Sequence, residues 1–158
     1  MKTFFTAMVT LLAALAATPA MATVTATEPA SVVRSLTKMG YKAELMKGND
    51  GDPYITSASS GDTFLIFFLG CKNGTGCATV QFFTAMAKPS NASLAAMNEW
   101  NRDNRFCRGY LADNGSARLE MDVDLAAAAT HGEPTAFTRL AKDKMRGLTM
   151  AHHALELV

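Results

Sequence analysis

Between Arg118 and Leu125 the residues alternate without a break: Arg118, Glu120, Asp122 and Asp124 are charged, and Leu119, Met121, Val123 and Leu125 are apolar. A period of two makes this an extended strand with one wet and one dry face; a helix would repeat its apolar positions every three to four residues. Asp113-Asn114-Gly115 lies just upstream. Asn-Gly adopts the left-handed backbone that a tight hairpin requires, so Arg105 to Ala112 is expected to pair antiparallel with the alternating strand. Two strands alone are marginal in water. The chain must therefore build a larger sheet and lay something over its dry face.

The upstream sequence supplies both. Pro29 opens a helix in which Val32, Val33, Leu36 and Met39 fall at helical spacing, and Gly40 ends it. Strands follow at Tyr41 to Lys47, Tyr54 to Ser59, Thr63 to Cys71 and Ala78 to Met86, separated by turns rich in Gly, Asn, Asp and Ser. Ser90 to Asn104 is expected to be a second helix with Leu94, Ala96, Met97 and Trp100 inward. Ala126 to Thr130 fits a turn or a short helix. From Gly132-Glu133-Pro134 onward, Phe137, Leu140, Ala141, Met145, Leu148, His152 and Leu155 mark a long terminal helix. The order α-β-β-β-β-α-β-β-α, with hairpin connections, predicts an α+β fold with a mostly antiparallel sheet of about six strands.

The first residues carry a different signal. Met1-Lys2 is followed by an apolar run from Phe4 to Ala17, then by Ala20-Met21-Ala22. A short basic start, an apolar stretch and small residues at a cleavage site describe a secretory signal peptide, here residues 1–22, with Ala26 the weaker alternative cleavage point. Residues 23–158 then form one domain in the periplasm or outside the cell, with no stable membrane insertion. The stretch from Thr23 to about Glu28 is expected to be disordered. Loss of Lys2 leaves 14 Lys+Arg against 14 Asp+Glu. A balanced charge argues against nucleic acid as the partner.

An exported protein meets oxidising conditions. Cys71 and Cys77 flank Lys72-Asn73-Gly74-Thr75-Gly76, a tight reversal between apolar strands, and are expected to form a disulfide. Cys107 alternates with Gly109 and Leu111 and is expected to lie in the core. No constellation for catalysis emerges. Asn49, Asp50 and Asp52 lack the remaining positions of a calcium loop. The carboxylates of Glu120, Asp122 and Asp124 recur about 7 Å apart along a strand, too far to share one small ion; Arg105, Arg108 and Arg118 are available to pair with them. His152 and His153 point to different helix faces, and no serine sits in a nucleophile elbow. Glu99 is expected on a solvent face or paired with Arg102. No catalytic residue, metal ligand or cofactor is assigned.

Two binding features remain. The strands around Phe64, Phe67, Phe68, Phe82 and Phe83 are apolar on both faces. Their excess either marks a surface for a polypeptide partner or a second copy, or is covered by the terminal helix. Trp100, Arg102, Arg105 and Tyr110 suggest a pocket for an anionic apolar molecule, with arginine for the charge and tryptophan for a flat wall.

Gly51-Asp52-Pro53 with Ile55, Phe67-Phe68, Gly70-Cys71, Val80-Gln81-Phe82, Asn98-Glu99-Trp100-Asn101-Arg102, Arg105-Phe106 and Leu119-Glu120-Met121-Asp122 together resemble the bacterial YbjN family in an exported form. The resemblance runs from about Ala30 to Leu157. Cys107 stands where the family pattern usually has a small residue. The resemblance implies a fold similar to type III secretion chaperones, small α+β proteins that dimerise and hold other chains, and a role in sensory regulation. The expected function is thus an exported, non-enzymatic binding module, chaperone-like or regulatory, with a small-ligand sensor as the alternative.

Overall fold

A computed structural model of the protein describes residues 24–87, 92–105 and 107–125. The expected leader, the terminal helix, the stretch from Ala126 to Thr130 and all three histidines lie outside the described residues. Helix α1 spans Pro29–Lys38, strands β1 to β4 span Ala43–Lys47, Pro53–Ser59, Asp62–Leu69 and Thr79–Met86, α2 spans Leu94–Asp103, and β5 and β6 span Arg108–Leu111 and Ala117–Asp124. The class is α+β, and the six strands form one antiparallel sheet in the order β1-β2-β3-β4-β6-β5. Strand β6 sits inside the sheet, between β4 and β5, so α2 carries the chain past it to the far edge.

The alternation in each strand sorts residues between two faces. Ile55, Phe64, Ile66, Phe68, Val80, Phe82, Leu119, Met121 and Val123 form the buried face. Val32 and Leu36 of α1, fully buried, and Met97 of α2 complete the same core. Burying each such side chain stabilises the fold by about 1.5–3 kcal/mol. The buried hydroxyls among them are satisfied: Ser57 donates to the Lys42 carbonyl at 2.7 Å and Thr84 to that of Thr63 at 3.2 Å.

Helix α1 ends where Gly40, at φ +90°, reverses the chain, and the Tyr41 N–H returns to the Leu36 carbonyl at 3.0 Å. The segment before α1 corrects the expectation of disorder. Val24 and Ala26 are buried at 7% and 1% exposure. The Ser31 hydroxyl accepts the Thr25 N–H at 3.0 Å and lies 2.7 Å from the Glu28 carbonyl, tying the segment to the first helical turn.

Helix α2 begins later than expected, at Leu94, because Ser93 caps it by accepting the Ala96 N–H at 3.1 Å. Leu94, expected inward, is 73% exposed. The helix packs chiefly on β5, and only Met97 is buried, with Ala96 and Trp100 half-buried. Periodicity marks a helix face but not how much of that face a sheet reaches. Between β3 and β4, Asn73 and Gly74 adopt φ of 52° and 74°, forming a two-residue turn closed by Lys72 and Thr75. Cys71 and Cys77 are joined in a disulfide across its mouth. Cys107 is buried, at 8% exposure. Among the described residues, no helix is long and apolar enough to cross a membrane.

Candidate functional site

Both described helices pack on the buried face of the sheet, and the opposite face carries the residues of interest. Tyr54 of β2, Phe67 and Leu65 of β3 and Phe83 of β4 are half-buried there. The Tyr54 and Phe67 rings are 6.1 Å apart, and the Phe67 and Phe83 rings 5.5 Å apart. Met46 of β1 lies opposite Tyr54 and extends this row to the sheet edge, where it is 41% exposed. The five phenylalanines singled out above therefore do not form one surface. Phe64, Phe68 and Phe82 are buried at 4%, 2% and 0% exposure and belong to the core; Phe67 and Phe83 alone face outward.

The aromatic row gives way to a charged patch on β6 and β5. Glu120, opposite Phe83, accepts hydrogen bonds from Tyr110 Oη at 2.5 Å and from Arg108. The Arg108 guanidinium also lies 5.5 Å from the Tyr110 ring centre. Burial pushes the Glu120 carboxyl up, but the hydrogen bonds from Tyr110 and Arg108 and the charges of Arg108 and Arg118 outweigh it, and the net direction is down. The Gln81 amide donates to Asp122 at 2.9 Å. Within the carboxylate row, Glu120 is thus ion-paired with Arg108 and Asp122 is bonded to a neutral amide. Among the described residues, no group of three or more His, Cys, Asp and Glu could hold a metal ion.

The structure does not bring Trp100, Arg102, Arg105 and Tyr110 together, which corrects the expected pocket. Trp100 lies over Gly109 on the buried face and donates Nε1–H to the Cys107 carbonyl at 3.3 Å. Tyr110, one residue on, points to the other face. Arg102 is on the solvent side of α2, where Asp103 at 2.9 Å and Glu99 at 3.4 Å hold it. Those carboxylates raise the Arg102 pKa, Asp103 most of all, and Arg102 lowers that of Asp103. Arg105 lines a shallow depression of about 370 Å³ beside Arg108 and Asp122.

One residue escaped the sequence reading. Asn101 on α2 accepts the Gly109 N–H at 2.8 Å and donates to the Gly109 carbonyl at 2.9 Å. Its amide stands where a neighbouring strand would, and so closes the outer edge of β5. An amide side chain carries a donor and an acceptor side by side and so can pair with both backbone groups of one residue, which is the signal Asn101 offered. The other edge differs. Gly48 donates to Asp52 at 2.8 Å, and the alternation of an antiparallel ladder then turns the backbone groups of Ala43, Leu45 and Lys47 outward. No described residue bonds to them. Leu45 and Met46, on the two faces of this strand, are 44% and 41% exposed.

In comparison with known proteins, residues 28–148 match the model of the YbjN family, described as "putative bacterial sensory transduction regulator". No curated protein and no solved structure matches.

Proposed function

The chain belongs to the YbjN family, and on that premise we propose an exported, non-enzymatic regulatory module that holds a polypeptide, or a second copy of itself, against the outer face of its sheet. The observation that carries this reading is the row of Met46, Tyr54, Phe67 and Phe83 beside a strand edge to which no other described residue bonds. Apolar side chains that a domain's own layers leave in reach of water mark an interaction surface. The difference between the two edges supports it further: Asn101 closes β5 at Gly109, while among the described residues nothing bonds to the outward backbone groups of β1, a geometry suited to an extended chain. The regulatory description of the family is consistent with protein contact.

Export rests on the leader sequence. Cleavage after Ala22 retains Val24 and Ala26, both buried; cleavage after Ala26 would remove both from the core. The first position is therefore the processing site we favour, and a periplasmic or secreted location follows from it.

The test is native mass spectrometry on the exported protein, purified without reduction. A dimer or a retained polypeptide mass is expected. Phe67→Asp should abolish that association and leave the circular dichroism spectrum unchanged. Phe68→Asp is the contrast: it places a charge in the core and should unfold the domain. A bare monomer, with the same mobility for wild type and Phe67→Asp, overturns the reading.

A further inference from the structure

At the β1 end of the outer face, the turn into β2 borders a half-open cavity of about 380 Å³. Tyr54, Phe67 and Leu69 line it as an apolar floor, and Asp50 and Asp52 as an acidic wall. None of the described residues lining it is Lys, Arg or His, although the chain as a whole carries nearly equal numbers of positive and negative side chains. Two carboxylates next to two aromatic rings, with no cation among the described lining residues, make a region of negative potential over an apolar surface. Aromatic faces attract cations, and the stem of a long basic side chain is itself apolar. The cavity matches a charged head on a hydrocarbon stem.

The wall is held in place before anything binds. Asp50 Oδ1 accepts the Asp52 N–H at 3.0 Å, and Gly51 donates to the Gly48 carbonyl at 3.0 Å. The disulfide-closed loop abuts the same turn: a Cβ at Gly74 would come within 2.5 Å of the Gly51 carbonyl oxygen. Side chains fixed beforehand lose little entropy on binding.

We propose that this cavity accepts a lysine or arginine side chain of a partner polypeptide whose next apolar side chains lie along the aromatic row. The inference rests on the binding-module reading and adds to it the charge of the partner. A polypeptide is favoured because Tyr54 and Phe67 belong both to the cavity and to the row. The steps between rings, 6.1 and 5.5 Å, are close to the roughly 7 Å between alternate side chains of an extended chain.

The test uses the unreduced mature protein and a fluorescent ten-residue peptide bearing one arginine followed by alternating leucines. A second peptide carries citrulline, a neutral analogue, in place of that arginine. The arginine peptide should bind at least tenfold more tightly. The double variant Asp50→Asn, Asp52→Asn should remove that difference while leaving the citrulline peptide unaffected, since asparagine at 50 can still accept the Asp52-position N–H and preserve the turn. Equal affinity of the two peptides, or no effect of the double variant, overturns the proposal. If Phe67→Asp then weakens both peptides equally, the binding-module reading survives without the cation site. If neither peptide binds, the cation site falls, and mass spectrometry of the native protein judges the module separately. Binding of butylguanidinium as tightly as the arginine peptide would make the occupant a small cation and overturn the polypeptide assignment.

Discussion

Gly109→Ala puts the contact between α2 and the sheet to a severe test. Gly109 lies on the buried face of β5, and an added Cβ would come within 2.9 Å of Trp100 Cδ1, 3.2 Å of Leu119 Cδ2 and 3.4 Å of Met97 Sδ. The nearest of these atoms belongs to a rigid indole, not to the end of a flexible chain. That indole is also tethered by its hydrogen bond to the Cys107 carbonyl, so it cannot withdraw without breaking the bond. Forcing a methyl group into a packed site costs about 1–3 kcal/mol, and a lost hydrogen bond about 1 kcal/mol more. The expected destabilisation is therefore about 2–4 kcal/mol. Urea denaturation followed by tryptophan fluorescence measures it directly, because Trp100 is the sole tryptophan. The native emission should shift to the red as the indole moves toward water. Gly40→Ala is the control. No atom lies within 4 Å of its added Cβ, and its cost comes from the backbone at φ +90°, about 1 kcal/mol with native emission unchanged. A Gly109→Ala protein within 0.5 kcal/mol of wild type, with unaltered emission, would refute the packing described for α2.

Three further outcomes can be checked by the same methods. Asn101→Ala leaves both backbone groups of Gly109 without the partner they have now; a loss of about 1–3 kcal/mol is expected, with faster amide hydrogen exchange at Gly109. Glu120 has a depressed pKa in the folded state, so its stabilisation is fully present above the unfolded value near 4.5 and is lost as pH falls through the folded value. Glu120→Gln should therefore cost about 1–2 kcal/mol at pH 7, and its gap from wild type in urea unfolding should narrow at pH 3; a gap that does not change with pH would show that the Tyr110 and Arg108 contacts do not depend on charge. Replacing Cys71 and Cys77 with serine opens a loop of sequence separation 6 and should cost about 2–3 kcal/mol in the chain-entropy model, a difference that vanishes when both proteins are unfolded under reducing conditions.

Local pattern was enough to read most of the architecture. The alternation from Arg118 to Leu125 defines β6 and its two faces, because a strand turns successive side chains to opposite sides whatever it packs against. Asn-Gly turns, Pro29 and Gly40 act through backbone angles available to a few residue types, so they mark element ends in the sequence itself. The proximity of Cys71 to Cys77 also follows from local reversal.

The candidate site was far less legible, since it depends on which strands become neighbours. In β3 both faces are apolar, and among the described elements the placement of α1 and α2 on one side makes Phe64 and Phe68 core and leaves Phe67 on the other face. Insertion of β6 between β4 and β5 sets Glu120 against Phe83 and Arg108, and no local signal in the sequence announces that order. Trp100 and Tyr110 are ten residues apart in sequence yet lie on opposite faces of the sheet, so the pocket expected from their composition does not form. Asn101 acquires its role only because α2 folds back beside Gly109. Which residues point together along one strand or helix is a property of the backbone period and was written in the sequence; which strand meets which, and which face the helices cover, is decided by packing energy summed over the whole domain, and the tertiary structure alone contains it.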